Sequence, residues 1–100
     1  AQSGVAFDLG TQTNRYQALA DETRLSILLA LRTAQELSTQ EVIDQFGLDK
    51  STASRHLRQL VATSLLEERR VDGAKKVYRV NKKAVGELIE LLTSLGGVRQ

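Results

Sequence analysis

The sequence predicts a mainly α-helical domain that carries one small β-hairpin. Apolar residues recur at helical spacing in several segments, and the turn-forming pair Asp72-Gly73 separates two strand-like segments. With 100 residues, 41% of them hydrophobic, the chain can build one small core. We expect four helices, two strands and a final helix within residues 14–100. Residues 1–13 are expected to form a flexible arm, because Gly and Thr interrupt their scattered apolar residues.

Charge is distributed unevenly along the chain. Residues 1–49 contain three Arg and seven Asp or Glu (net −4), residues 50–83 contain ten Lys or Arg and three Asp or Glu (net +7), and residues 84–100 have a net charge of −1. A basic block of this size predicts a surface that binds phosphate. The alternative is a set of solvated basic faces without a ligand.

Composition also limits the classes of function. No apolar run reaches the roughly 18 residues of a membrane-spanning helix, and the chain does not open with a signal-peptide pattern. The absence of cysteine excludes disulfides, a thiolate metal site and a cysteine nucleophile, and is compatible with the cytoplasmic location that we expect. The chain has no methionine, so it is either processed or a fragment of a longer protein.

The segment from Leu48 to Leu60 is predicted to form an amphipathic helix capped by Asp49. Its apolar residues gather at the back, and its front carries cations, hydroxyls and one amide: Lys50, Ser51, Thr52, Ser54, Arg55, Arg58 and Gln59. Such a front suits DNA, whose grooves display hydrogen-bonding edges between phosphates. We expect Arg55 to contact guanine and Gln59 to contact adenine, while the cations bind phosphate and the hydroxyls bind near the positive end of the helix dipole.

The residues before this helix predict a helix-turn-helix arrangement. A short helix is expected over residues 14–20, and Asp21 is expected to cap the next helix. Ser38-Thr39-Gln40-Glu41 has the pattern of a capping box, which opens a third helix, and Gly47 supplies a left-handed stop. Two helices joined by a short turn that contains glycine are typical of this arrangement.

The two strand-like segments that follow, residues 65–71 and 75–80, predict a basic hairpin, or wing. Its tip would lie beside the DNA backbone or the minor groove while the preceding helix occupies the major groove. The tip residues expected to contact DNA are Arg70, Lys75 and Lys76.

Asn81 is predicted to cap a last helix that ends at Gly96-Gly97. Its apolar residues cover an arc of about 160°, wider than the stripe of about 100° that a surface helix needs. We therefore expect a homodimer interface, with a helix wrapped around its own domain as the alternative. The residues expected in this interface are Tyr16, Leu19, Leu88, Leu91, Leu92 and Leu95.

The segment Ala18-Leu19-Ala20-Asp21-Glu22-Thr23-Arg24-Leu25-Ser26-Ile27-Leu28 resembles the opening pattern of ArsR-type winged helix-turn-helix transcriptional regulators. Residues 48–60 resemble their recognition segment, and residues 73–80 resemble their wing. The resemblance implies a dimer that binds a palindromic operator and usually represses transcription until an effector releases the DNA.

The sequence departs from the metal-sensing members of that family. The cysteine pair before the turn is missing, and the last helix offers only Glu87 and Glu90 as ligands. We therefore expect no metal and no cofactor.

Two other classes of function are less consistent with the sequence. An enzyme is disfavoured because Ser54 and His56, two residues apart on a helix, point in different directions and form no catalytic pair. His56 is expected to pack against the preceding helix, with a phosphate contact as the alternative. A winged-helix module that binds proteins instead of DNA is the stronger rival, although the outward cations Arg55 and Arg58 disfavour it.

Overall fold

The computed structural model describes residues 7–97 and confirms a mainly helical fold with a small sheet. Within these residues the elements are α1 (Leu9–Leu19), α2 (Glu22–Ala34), β1 (Leu37–Ser38), α3 (Thr39–Phe46), α4 (Lys50–Ala62), β2 (Leu66–Arg70), β3 (Lys76–Val80) and α5 (Lys82–Gly96). The strand β1 was not predicted, because two residues are too few to show an alternating pattern.

Helix α1 begins earlier than the sequence indicated. The side chain of Asp8 accepts a hydrogen bond from the backbone N–H of Thr11 and caps a helix that starts at Leu9. The expectation of a flexible arm is therefore wrong for residues 9–13, which belong to α1 despite their Gly and Thr residues. The first six residues of that expected arm lie outside the described residues.

The four predicted N-caps are confirmed. Asp21, Ser38, Asp49 and Asn81 each accept a hydrogen bond from a backbone N–H in the first turn of the following helix. At Ser38 the capping box is complete, because the carboxylate of Glu41 also accepts from the Ser38 N–H. These caps satisfy N–H groups that a helix leaves unpaired, so local sequence fixes where four of the helices begin.

The three strands form an antiparallel sheet in the order β1-β3-β2. Leu37 pairs with Tyr78 and Ser38 with Val77, so the wing is hydrogen-bonded to the residues immediately before α3. The buried Tyr78 hydroxyl donates to Glu68 over 3.2 Å, and desolvation raises the pKa of this hydroxyl. The hairpin is therefore attached to the helix-turn-helix unit at its base.

The core lies between the helices and one face of the sheet, and its largest fully buried side chains are Ile27, Val42, Leu57, Leu60, Leu65 and Leu66. One charged group, Arg15, is also buried. Its Nε donates to the carbonyl of Thr63, at the C-terminal end of α4, over 2.9 Å, and its Nη1 donates to Glu87 of α5 over 2.6 Å. This hydrogen bond holds the pKa of Glu87 below its usual range. Arg15 thus joins α1, α4 and α5.

Candidate nucleic-acid interface

Helix α4 presents its polar side to solvent. The turn before it consists of Gly47, Leu48 and Asp49, and Gly47 has a φ of +63°, in the left-handed region that favours glycine. The back of α4 is buried through Ala53, His56, Leu57 and Leu60. The turn and this buried back together fix which side of α4 faces outward.

The predicted DNA-binding residues of α4 lie on that outward side. Lys50, Ser51, Arg55, Arg58 and Gln59 are exposed, whereas Thr52 and Ser54 are half-buried. Among residues 7–97, no carboxylate forms an ion pair with the three cations of this set. Helix α4 therefore offers uncompensated positive charge to a ligand.

The N-terminus of α4 is already occupied by a carboxylate. Asp49 accepts from the backbone N–H of Thr52 over 2.7 Å and from the Ser51 hydroxyl over 3.0 Å. These hydrogen bonds lower the pKa of Asp49, and the one from the Thr52 N–H has the largest effect. A phosphate at this helix end would meet the negative charge of Asp49, which opposes the attraction of the helix dipole.

The wing contributes fewer free cations than its sequence suggests. Lys75 is exposed at the tip, and the exposed Arg70 donates to the carbonyl of Gly73 over 3.0 Å. Lys76 is half-buried, and its Nζ lies 3.6 Å from Glu68. Two further basic side chains of the hairpin are paired, Arg69 with Glu36 and Arg79 with Glu67. Of the predicted tip contacts, Arg70 and Lys75 are thus the more available.

An arginine from outside the predicted site reaches the front of α4. Nη1 of Arg24, in the first turn of α2, lies 3.1 Å from Nδ1 of His56 and 2.5 Å from Oε1 of Gln59. Its Nε donates to the carbonyl of Ala18. Because Asp21 caps α2 through the backbone N–H of Arg24, the guanidinium remains free for α4. Arginine at the third helical position, where a capping box carries an acidic residue, was the sequence signal for this role.

His56 is buried, as its expected packing role requires, but its polar partner is in α2 and not in the preceding helix. Burial lowers the pKa of His56, and the charges of Arg24 and Arg55 act in the same direction, against the carboxylate of Asp21 at 3.9 Å. The neutral imidazole is thus the favoured form within the fold.

The predicted dimer residues divide into three groups by exposure. Leu88 and Leu91 are 3% and 9% exposed, because they face the interior of the same chain. Little of either side chain is therefore left at the surface for the expected contact with a second copy. Tyr16 and Leu19 are half-buried, and the Tyr16 hydroxyl donates to the carbonyl of Leu88. Leu92 and Leu95 are 55% and 74% exposed and remain available.

Other apolar side chains lie near this free part of α5. An open groove between α2 and α5 is lined in part by Leu25, Leu29, Ile89 and Leu92, and all four are exposed. The broad apolar arc predicted for α5 thus has one half in the core and one half at the surface, where it continues onto α2.

Residues 7–97 contain no cluster of three or more His, Asp or Glu side chains arranged to hold a metal ion. In the same residues, no helix has the length and apolar character that crossing a membrane requires.

Comparison with known proteins agrees with this geometry. A family model described as a helix-turn-helix domain matches residues 19–69, which include α2, α3, α4 and most of β2. The arsenical resistance operon repressor of Staphylococcus aureus is 30% identical over 82 residues, which cover 82% of this chain and 77% of the repressor.

Two further proteins are similar to the chain. The transcriptional regulator KmtR of Mycobacterium tuberculosis is 34% identical over 74 residues, and this chain spans 55% of its length. The solution structure of Mb0332 from Mycobacterium bovis, described as a homodimeric winged helix-turn-helix DNA-binding domain, superposes with a TM-score of 0.70 at 27% identity, over 96% of this chain and 91% of that one. The sequence matches, the order of elements and the exposed α4 agree: the chain belongs to the ArsR family of winged helix-turn-helix transcriptional regulators.

Proposed function

We propose that the protein is a dimeric repressor that binds a palindromic operator, with α4 in the major groove and the wing beside the backbone. The outward face of α4 carries this proposal, because its three exposed cations have no carboxylate partner among residues 7–97. Phosphate contacts from Lys50, Arg58 and Lys75 would set the register, and Arg55 would contact a base edge.

The dimer is supported by the apolar surface of α5 and α2 and by the homodimeric state of Mb0332. Two copies related by a two-fold axis would place their α4 helices about 34 Å apart, in successive major grooves. A palindromic site follows from that symmetry.

A protein-binding module is less well supported. Each exposed large hydrophobic side chain in the described residues belongs to α1, α2 or α5, and none to α4 or the wing. A protein-docking surface on α4 would more often expose aromatic or apolar anchors.

Selection of duplexes from a random pool with the full chain tests the proposal. We expect an inverted repeat with half-sites about one helical turn apart, and an affinity that falls steeply with salt. Transcription in vitro from a promoter that overlaps the selected site should fall as the protein is added. Failure to select any duplex, or an affinity that salt does not change, would contradict DNA binding.

Substitutions then separate the two kinds of contact. Arg55→Ala should lose about 1–3 kcal/mol on the selected site and relax the preference at one base pair per half-site. Lys75→Ala should weaken all duplexes alike and reduce the salt dependence. Arg79→Ala is the matched control, because Glu67 already compensates that guanidinium at 3.1 Å, so its effect should be smaller than either.

A further inference from the structure

The contact between Arg24 and Gln59 fixes which end of the Gln59 amide faces outward. A guanidinium has only hydrogen-bond donors, so the groups that contact Nη1 of Arg24 must both be acceptors. At Gln59 this acceptor is Oε1, at 2.5 Å, and at His56 it is the unprotonated Nδ1, at 3.1 Å. The Gln59 amide therefore directs its oxygen towards α2, and the NH₂ group is left at the free end.

Gln59 lies in the row of α4 that includes Ser51 and Arg55, because residues four apart occupy the same side of a helix. Gln59 and Arg55 are both exposed there. If α4 enters the major groove as proposed above, the free end of the amide is the part of Gln59 that can reach a base.

Bidentate contact between glutamine and adenine requires both ends of the amide: the oxygen accepts from N6 and the NH₂ donates to N7. In this protein Arg24 takes the oxygen. The NH₂ group that remains matches edges rich in acceptors, namely guanine, with N7 and O6, and thymine, with O4.

We propose that Arg24 is a specificity-determining residue: by binding Oε1 of Gln59, it makes Gln59 a donor that selects guanine or thymine over adenine. Arg24 itself acts through Gln59 and is a positioning residue. This proposal replaces the expectation from sequence that Gln59 prefers adenine. That expectation assumes an amide with both ends free, whereas Arg24 binds the oxygen. The inference rests on the proposed placement of α4 in the major groove.

The test is duplex selection with the wild-type chain and with Gln59→Ala, Gln59→Glu and Arg24→Met. Gln59→Ala identifies the base pair that Gln59 contacts, because the preference there should fall by about tenfold or more. On the strand that Gln59 contacts, the wild-type base at this position should be guanine or thymine. In Arg24→Met the amide can rotate, so the preference at the same position should weaken or move to adenine while the other positions stay unchanged.

Gln59→Glu is nearly isosteric and keeps an oxygen for Arg24, but the outward group becomes an acceptor. The preference at that position should therefore move to bases that present an amino group, cytosine or adenine. This variant tests whether wild-type Gln59 acts as a donor, even if Arg24→Met is too unstable to purify. Arg79→Met is the matched control, because it removes an exposed guanidinium that contacts Glu67 on the wing, and it should leave every base preference intact.

The outcomes separate the inference from the proposed function. Weaker wild-type binding when purine, which lacks the N6 amino group, replaces the adenine of the Gln59 base pair would show that the amide oxygen accepts from adenine. That result would overturn the role of Arg24 and leave DNA binding intact. So would a Gln59→Ala motif identical to that of the wild type, or a preference at that position that either Arg24→Met or Gln59→Glu leaves unaltered. The absence of any selected motif for the wild-type chain would overturn both.

Discussion

Arg15 and Arg24 connect helices that lie far apart in the sequence. Arg15 contacts Thr63 and Glu87, and Arg24 contacts His56 and Gln59. Each guanidinium offers several donors in a fixed plane, so one side chain can hold two or three elements together. These contacts set where α4 lies relative to α1, α2 and α5.

Local and long-range contacts differed in how well the sequence predicted them. Asp49 and Ser38 cap helices whose N–H groups are three residues away, and both caps were predicted correctly. The partners of Arg15 are 48 and 72 residues away, and no periodicity or short motif encodes such a pair. Arg24 and Gln59 are likewise far apart in the sequence, so the expectation that Gln59 contacts adenine does not include the hydrogen bond from Arg24.

His56 gives a pH dependence that can be predicted from its surroundings. Burial lowers its pKa below the ordinary 6.5, and the positive charges of Arg24 and Arg55 lower it further. The carboxylate of Asp21 acts in the opposite direction. Below pH 6.5 the unfolded chain therefore binds a proton that the folded chain resists, so the free energy of unfolding should fall as the pH falls. The slope is at most about 1.4 kcal/mol per pH unit for one proton.

Urea unfolding between pH 7.5 and 5 measures this effect. His56→Asn retains an acceptor near Arg24 but cannot titrate, so it should show a flatter profile over this range. The carboxylates with lowered pKa, such as Asp49 and Glu87, lose their contribution only at more acidic pH. Equal slopes for the two proteins would exclude His56 as the source.

At the scale of elements, the turn between α3 and α4 depends on one backbone conformation. Gly47 has a φ of +63°, and a Cβ placed there would meet no atom within 4 Å. Gly47→Ala should therefore destabilise the fold through backbone strain alone, by about 1–2 kcal/mol. Thermal or urea unfolding of the variant measures this loss.

Gly86 provides the matched control for Gly47. It lies within α5, and an added Cβ there would also meet open space. Gly86→Ala should stabilise the protein by about 0.5–1 kcal/mol, because alanine favours helix and loses less conformational freedom on folding. Effects of the same sign at the two positions would contradict this account of the turn.

The elements themselves were predicted well where several residues carried the pattern. The wing followed from Asp72-Gly73 between two strand-like segments, and the structure places both residues at positive φ. The start of α1 was misjudged because Gly10 and two threonines favour a loop on local propensity, whereas Asp8 caps a helix that packs on α5. Tertiary packing outweighed propensity in that segment.

At the scale of the whole molecule, the exposed leucines predict how two copies associate. Ile89 and Leu92 of α5 are 59% and 55% exposed and adjoin exposed leucines of α2. Leu92→Asp would place a charge in this apolar surface, so we expect a monomer in sedimentation experiments. Binding to the full palindrome should weaken by orders of magnitude, whereas binding to a single half-site should change little.

Glu90→Arg is the control for Leu92→Asp. Glu90 is exposed and lies about 160° from Leu92 around the helix. The substitution therefore changes the charge on the opposite side of α5. This variant should stay dimeric. A Leu92→Asp protein that sediments as the wild type does would place the interface elsewhere.

The short strand β1 has a consequence for how DNA could be released. Ser38 pairs with Val77 of the wing and also caps α3, so the hairpin and the helix-turn-helix unit share a residue. We expect a hairpin tethered in this way to move together with the helices. In the proposed dimeric repressor, a signal that releases the DNA would therefore act on the angle at which the two copies meet.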